Sequence, residues 1–355
     1  GNYWNCDFTA FISLNCSVSK VRIGLSLLMI KTALTDLLGI KHPILNAPMA
    51  SSATAELAGA VSAAGGFGML GMGNTVPDPE WLALEIKRVR EITNKPFGVG
   101  FITSVPGIEK LVEVAIEAKV DLIGHSFSDP SPFMSDAKKA GIKVVAQVQT
   151  VEQAVQARDA GVDLVVAQGT DGGGHTGYIG TISIVPAVVD ACPEIPVIAA
   201  GGIVDGRGIA AALVLGASGV WIGSRFVASK EWAGAEWSKQ ALISAGTDDT
   251  ILTRSYDLAM DAPFPSYIAG RVIGNAFTDR WHENYQELLD NKEDIKTDIA
   301  LATQNADLNI APVSAGSGSG AIKSIETVSD IMQSLVSDTE SILAELKDQL
   351  LTKSP

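Results

Sequence analysis

The 355-residue sequence is poor in several residue types, and each shortage excludes something. It has three cysteines, Cys6, Cys16 and Cys192, an odd and widely spaced set that gives neither a disulfide framework nor a repeated metal-ligand spacing. Among its four histidines, His42, His125, His175 and His282, none pairs with another at i, i+4, so no helical zinc site and no metal is expected. Positive charge is short as well. Lys+Arg of 26 against Asp+Glu of 40 leave a net charge of −14, which argues against a nucleic-acid or acidic-membrane partner, although a local pocket for one phosphate is compatible with it. The apolar stretch 23–30 behind Lys20 and Arg22 is too short to span a bilayer and is stopped by Lys31. No small-residue cleavage site follows it, so residues 1–28 read as a disordered N-terminal extension rather than a signal peptide. A reducing, cytoplasmic setting is expected.

What is present is a composition of 46% hydrophobic and 19% charged residues with 35 glycines, that of a chain able to bury a large core. From Pro43 onward, short apolar runs alternate with segments of helical period. Strands are expected at 44–50, 67–71, 97–103, 122–126, 143–149, 164–168, 196–201 and 219–226. Runs apolar on both faces and separated by helices imply a parallel sheet covered on both sides. A loose repeat of small residue, glycine and apolar strand recurs at Ala118–Leu122, Ala140–Val144 and Ala160–Leu164. Eight such units fit a TIM (β/α)8 barrel better than an open doubly wound sheet. The expected division is a barrel over 29–230 and 311–355 with a closing helix from Ile322, and an added helical region or lid over 231–310 after strand eight. Residues 314–320, rich in Gly and Ser, read as a linker on composition. The apolar closing helix would dock on its own barrel or on a partner, which leaves room for a homodimer.

In TIM barrels chemistry sits at the C-terminal ends of the strands. There the sequence places Asn46-Ala47-Pro48-Met49, Ala199-Ala200-Gly201-Gly202-Ile203 and Ile222-Gly223-Ser224-Arg225-Phe226. The latter two follow strands seven and eight, where glycine amides and a hydroxyl commonly hold a phosphate. The most informative stretch is Ala167-Gln168-Gly169-Thr170-Asp171-Gly172-Gly173-Gly174-His175-Thr176-Gly177. Three consecutive glycines are entropically costly to order, so the backbone is expected to pass close to something bulky and flat, with His175 above it as a proton acceptor near neutral pH. His125, after strand four, is a weaker candidate, better read as structural; His42 and His282 fall away from the strand ends.

At these residues the sequence resembles the nitronate monooxygenase family, formerly called 2-nitropropane dioxygenases, which are FMN-binding TIM barrels. The resemblance runs over about residues 29–336 and rests on PILNAPM at 43–49, GGFGMLG at 65–71, AQGTDGGGHTG at 167–177, AAGGI at 199–203 and GVWIGSRF at 219–226, all in order. The AQGTD form and Asp129-Pro130-Ser131-Pro132 resemble the fungal branch most. The resemblance implies that His175 is the catalytic base and that amides matching Gly201, Gly202, Gly223 and Ser224 hold the FMN phosphate. It further implies that Gly172, Gly173 and Gly174 pass along the flavin, that Gln168, Gln147 and Asn74 contact its ring or ribityl chain, and that Met49 packs against the ring. Gly172 stands where the family usually has Ala, Asp171 where it often has Glu, and Ser224 where it often has Thr; these departures blur the subclass and leave the base untouched. The implied reaction oxidises alkyl nitronates, and nitroalkanes after proton removal, through FMN with O2 to a carbonyl compound and nitrite. Relatives with the same barrel use NAD(P)H and FMN to reduce quinones or enoyl thioesters and share the histidine, so they stand as the alternative. A barrel that binds flavin without catalysis is the third reading.

Overall fold

The computed structural model describes residues 29–73 and 78–350. The expected N-terminal extension and Asn74 lie outside the described residues. Eleven strands occur among them: β1 (Ile44–Asn46), β2 (Gly68–Met72), β3 (Phe97–Ile102), β4 (Leu122–Ser126), β5 (Lys143–Val148), β6 (Leu164–Gln168), β7 (Gly174–Thr176), β8 (Val197–Ala200), β9 (Gly219–Ile222), β10 (Thr250–Thr253) and β11 (Ala269–Ile273). Eight of them pair in parallel in the order β1-β9-β8-β6-β5-β4-β3-β2, alternating with helices, and form a nearly closed TIM barrel. The seam between β1 and β2 holds a single bridge, Leu45 to Phe67. Pro48 has no N–H to extend that ladder. The Asn46 side chain substitutes for the missing rungs, its Nδ2 donating to Met69 O at 2.8 Å and its Oδ1 accepting from Met69 N at 2.8 Å.

Strand parity places the side chains. Leu45, Met69, Leu122, Val145, Leu164, Val166, Ile198, Ala200 and Trp221 form one buried cluster, the barrel interior. Their neighbours Val144, Ala146, Val165, Ala167, Val197, Ala199 and Val220 pack outward against the helices. That two-faced burial is why the strands read as continuous apolar runs. The short helix Ala33–Leu38, started by a Thr32 capping box and ended at Gly39 with φ 65°, brings Leu34 and Leu38 into the interior cluster and plugs the N-terminal end.

Three segments differ from their sequence reading. Residues 231–310 are not purely helical: β10 and β11 pair antiparallel, and β11 pairs with β7, so that Gly270 stands opposite His175. Residues 314–320 are not a free linker. Ala315 and Ser319 are fully buried, and Ser317 N donates to Asp171 O at 3.0 Å, which seats this strap on the glycine loop. The closing helix begins later than expected, at Val328, and its Val328, Ile331, Met332 and Leu335 bury against the chain's own barrel.

Candidate active site

Continuing the inward parity past the interior cluster leads to the rim. Ala47, Gly100, Ser126, Gln147, Gln168 and Gly223 follow inward-facing residues two positions earlier, and all line a cavity of about 400 Å³ at the C-terminal end of the barrel. Met49, Gly173, Gly174, His175, Gly201, Gly202 and Ser224 line it too. The structure thus gathers every expected site residue except Asn74, which is outside the described residues. His125 is not among them. Counted from inward Leu122 it points outward, where it is 1% exposed and stacks on Phe133 with ring centroids 4.9 Å apart.

Burial pushes the His125 imidazole down to about 4, opposed only in part by Asp129. The folded protein therefore keeps it neutral where the unfolded chain, at the ordinary value of 6.5, takes up a proton. Its stabilising contribution is complete above 6.5 and is lost as pH falls toward 4; half-buried His42 is lowered in the same direction, by burial and then by Lys41. Denaturant unfolding of the wild type should show stability falling between pH 6.5 and 4, by at most about 1.4 kcal/mol per pH unit for each proton involved. His125→Gln should flatten that slope, and an unchanged slope would refute the assignment.

The glycine loop is held from several sides. Gly169 N donates to Ala200 O at 2.9 Å and Thr176 Oγ1 to Gly169 O at 2.9 Å. Gln168 Nε2 donates to His175 O at 3.0 Å, while its Oε1 accepts from Gln149 Nε2 at 2.9 Å. Asp171 Oδ2 accepts from Thr181 N at 2.8 Å. Burial opposes ionisation of Asp171, but hydrogen bonds from Thr181 and the Arg271 charge outweigh it and hold the carboxyl below its ordinary value. One glycine answers to the protein itself: a Cβ on Gly173 would come within 2.6 Å of Gly316 N and 2.7 Å of Ala315 C, the backbone of the strap. The bulky neighbour expected for this loop is, at Gly173, the strap.

His175 projects from β7 into the cavity. Its Nε2 lies 2.7 Å from Asp257 Oδ1, and its ring stacks on Phe264 with centroids 3.5 Å apart and planes 15° from parallel. Phe127 meets both rings edge-on, at 6.2 Å from His175 and 5.3 Å from Phe264. Asp257 and Phe264 escape the sequence reading because no motif marks them; Asp257 is 82 residues from its partner.

The residues present fit FMN on four observations. The Gly202 and Gly223 amides donate to no protein acceptor among the described residues, although both line the cavity. The Ser224 Oγ accepts from Gly316 N at 2.9 Å, which leaves its hydroxyl hydrogen to give. A Cβ on Gly223 would meet only Ala47 Cβ, at 3.7 Å, so the protein itself does not require glycine there. Gln147 adds a side-chain amide at the rim with no hydrogen-bond partner among the described residues. Free amides after strands seven and eight of the barrel suit a phosphate, and the cavity volume is that of a cofactor site. No group of three or more His, Cys, Asp or Glu among the described residues could hold a metal ion, and no described helix is long and apolar enough to cross a membrane.

A TIM barrel whose rim presents a glycine loop, a carboxylate-paired histidine and two glycine-bearing loops after strands seven and eight has the make-up of an enzyme site, and the family it falls in is one of oxidoreductases. The chain belongs to the nitronate monooxygenase family, which it matches over residues 31–109 and 101–338. It is 36% identical over 230 residues to the (3aS,4S,5R,7aS)-5-hydroxy-7a-methyl-1-oxo-octahydro-1H-indene-4-carboxyl-CoA dehydrogenase of Mycobacterium tuberculosis, a match covering 64% of this chain and 64% of that relative. A probable nitronate monooxygenase of Staphylococcus aureus is 34% identical over 274 residues, covering 64% of this chain and 76% of its own length. Among solved structures, FabK from Thermotoga maritima superimposes with a TM-score of 0.81 at 34% identity, covering 90% of this chain and all of that one. Nitroalkane oxidase from Streptomyces ansochromogenes gives 0.77 at 26% identity, covering 89% of this chain and all of that one. These relatives are bacterial.

Proposed function

We propose that the protein is an FMN-dependent enzyme that oxidises alkyl nitronates, and nitroalkanes after proton removal, with O2 to carbonyl compounds and nitrite. The observation that carries this reading is the placement of His175 in the cavity wall, Nε2 at Asp257 and Nδ1 hydrogen-bonded to no protein group among the described residues. With the proton on Nε2, Nδ1 offers a lone pair to a substrate C–H made acidic by a neighbouring nitro group. Gln147, whose side-chain amide has no partner among the described residues, would donate toward developing negative charge at the rim. Met49 and Phe127 in the cavity wall, with Phe264 packed behind on the rings of Phe127 and His175, would give the substrate an apolar surround that limits water around the base. Gly201, Gly202, Gly223 and Ser224 would hold the FMN phosphate, Gln168, Gly173 and Gly174 would shape the ring's seat and Met49 would pack on it. FMN, when bound, supplies the redox chemistry that links substrate to oxygen. The fungal affinity rests on AQGTD and on 129–132 alone, and a cytoplasmic setting on the sparse, widely spaced and odd-numbered cysteines.

The test is oxygen uptake with nitrite detection, using FMN-loaded protein and ethyl nitronate without NAD(P)H. Rapid uptake with nitrite release is the expected result; no uptake from protein that holds FMN refutes the reading. A second reading is favoured by the CoA-ester dehydrogenase relative. In that reading NAD(P)H would supply two electrons by way of the flavin, a quinone or an enoyl thioester would take them up, and His175 would handle the proton at the carbon beside the thioester carbonyl. Anaerobic bleaching of the flavin by NADPH or NADH distinguishes it.

A further inference from the structure

We propose that Asp257 is a positioning residue that holds His175 as the Nε2–H tautomer, so that the region added after barrel strand eight, and not the barrel, prepares the base. The inference rests on the reading of His175 as a base.

Three observations carry it. First, Asp257 Oδ1 accepts at 2.7 Å from His175 Nε2, and the carboxylate side chain is only 11% exposed. A carboxylate accepts and does not donate, so the proton between them sits on Nε2 and the free lone pair is on Nδ1. Second, the other oxygen, Asp257 Oδ2, is buried without a partner among the described residues. A half-satisfied buried carboxylate is costly, and fold stability alone gives no reason to retain it. Third, the imidazole plane is fixed independently of that bond: Phe264 stacks on one face, Phe127 abuts an edge, and the backbone of His175 is paired with Gly270 of β11. Asp257, Phe264 and Gly270 all belong to residues 231–310. Asp257 is the charged group in contact with the imidazole among the described residues; Asp171 is engaged by Thr181 N, and Arg271 by Thr170 O at 2.8 Å.

The proton balance is simple. Nδ1 takes the substrate α-proton, the C–H electron pair moves into the nitro group, and Nε2–H stays where it is, its new positive charge facing Asp257. A substrate delivered as the nitronate has no such proton to lose. The expected signature is therefore a split between substrates.

FMN-loaded wild type, Asp257→Ala, Asp257→Asn and Asp257→Glu should be compared on nitroethane and ethyl nitronate, with FMN content measured by absorbance. Asp257→Ala should lower nitroethane kcat/KM by about a hundredfold. The same variant should lower ethyl nitronate kcat/KM by no more than about threefold, a binding-scale loss without the proton step. Asp257→Glu should recover part of the loss. Equal losses on the two substrates, or no loss on nitroethane, would overturn the proposal. The 15N resonances of the His175 ring in the FMN-loaded protein give a readout without turnover, so it survives failure of the nitronate reading itself. The wild type should show protonated Nε2 and bare Nδ1, and Asp257→Ala should shift that balance; Asp257→Asn gives the same comparison should the alanine variant not fold. An unchanged tautomer in the folded variant would overturn the proposal whatever the substrate proves to be.

Discussion

His175→Ala, loaded with FMN, should lose nitroethane turnover by about a thousandfold, within the range that a positioned general base contributes. Ethyl nitronate turnover should fall far less, because that substrate arrives without the proton that the proposed base would remove. Initial oxygen-uptake rates on the two substrates, at matched flavin content, measure the difference. The variant has a structural side effect that must be separated from chemistry. Removing the imidazole strips Asp257 Oδ1 of its partner when Oδ2 already lacks one, and it removes the ring that Phe264 stacks on. An unpaired buried carboxylate is destabilising. His175→Gln keeps a donor toward Asp257 while removing the base, so it should match alanine on nitroethane with a smaller loss of stability in denaturant. Equal losses on both substrates would give His175 a role in binding rather than in proton removal.

The contrast between His175 and His125 shows which parts of such a site a sequence carries. Both follow apolar strands and both reach the same end of the barrel. Parity separates them: Leu122 faces inward, so His125, three positions on, faces the helices, and its neutral, buried state follows from that placement. The same counting places Gln147 and Gln168 at the rim, two residues beyond inward Val145 and Val166. The barrel strands were legible for a related reason, since burial on both faces writes continuous apolar runs into the chain. Their ends were less so. The expected strand 219–226 stops at Ile222 because Gly223, at φ −101° and ψ −78°, opens the short helix Ser224–Val227.

The misread segments have a common cause, which is that composition does not report contact. Gly and Ser at 314–320 are as suited to a flexible linker as to a backbone pressed against another backbone. What decides is clearance: a Cβ on Gly318 would lie 2.5 Å from Gly202 O, and one on Gly320 would lie 2.3 Å from Thr247 Oγ1. Asp257 was hidden differently. Its position depends on β11 pairing with β7, a long-range antiparallel contact between a three-residue strand and a region without strong period. Neither local propensity nor a motif specifies that meeting; tertiary packing does.

Clearance also separates the glycines that serve the fold from those that would serve a cofactor, and Gly223→Ala tests the second kind. Its φ is negative, so it does not depend on the left-handed region that favours glycine, and the added methyl group would meet only Ala47 Cβ at an ordinary 3.7 Å. Without FMN, the variant should unfold within about 0.5 kcal/mol of the wild type. With FMN, the methyl group would stand beside the Gly223 amide and the Ser224 hydroxyl, where the proposed site holds the phosphate. Loss of one charge-assisted hydrogen bond is worth about 1.5–3 kcal/mol, so FMN affinity should fall by about tenfold to a hundredfold. Titration of apoprotein with FMN, followed by flavin fluorescence, gives the dissociation constant, and denaturant unfolding of the same apoprotein gives the control. Gly173→Ala marks the opposite case, since its Cβ would collide with the strap backbone at 2.6 Å and should weaken the fold with or without FMN. Wild-type affinity in Gly223→Ala would place the phosphate elsewhere and remove the loop after barrel strand eight from the site; a selective loss of affinity, with stability kept, would show that this glycine is there for the cofactor rather than for the chain.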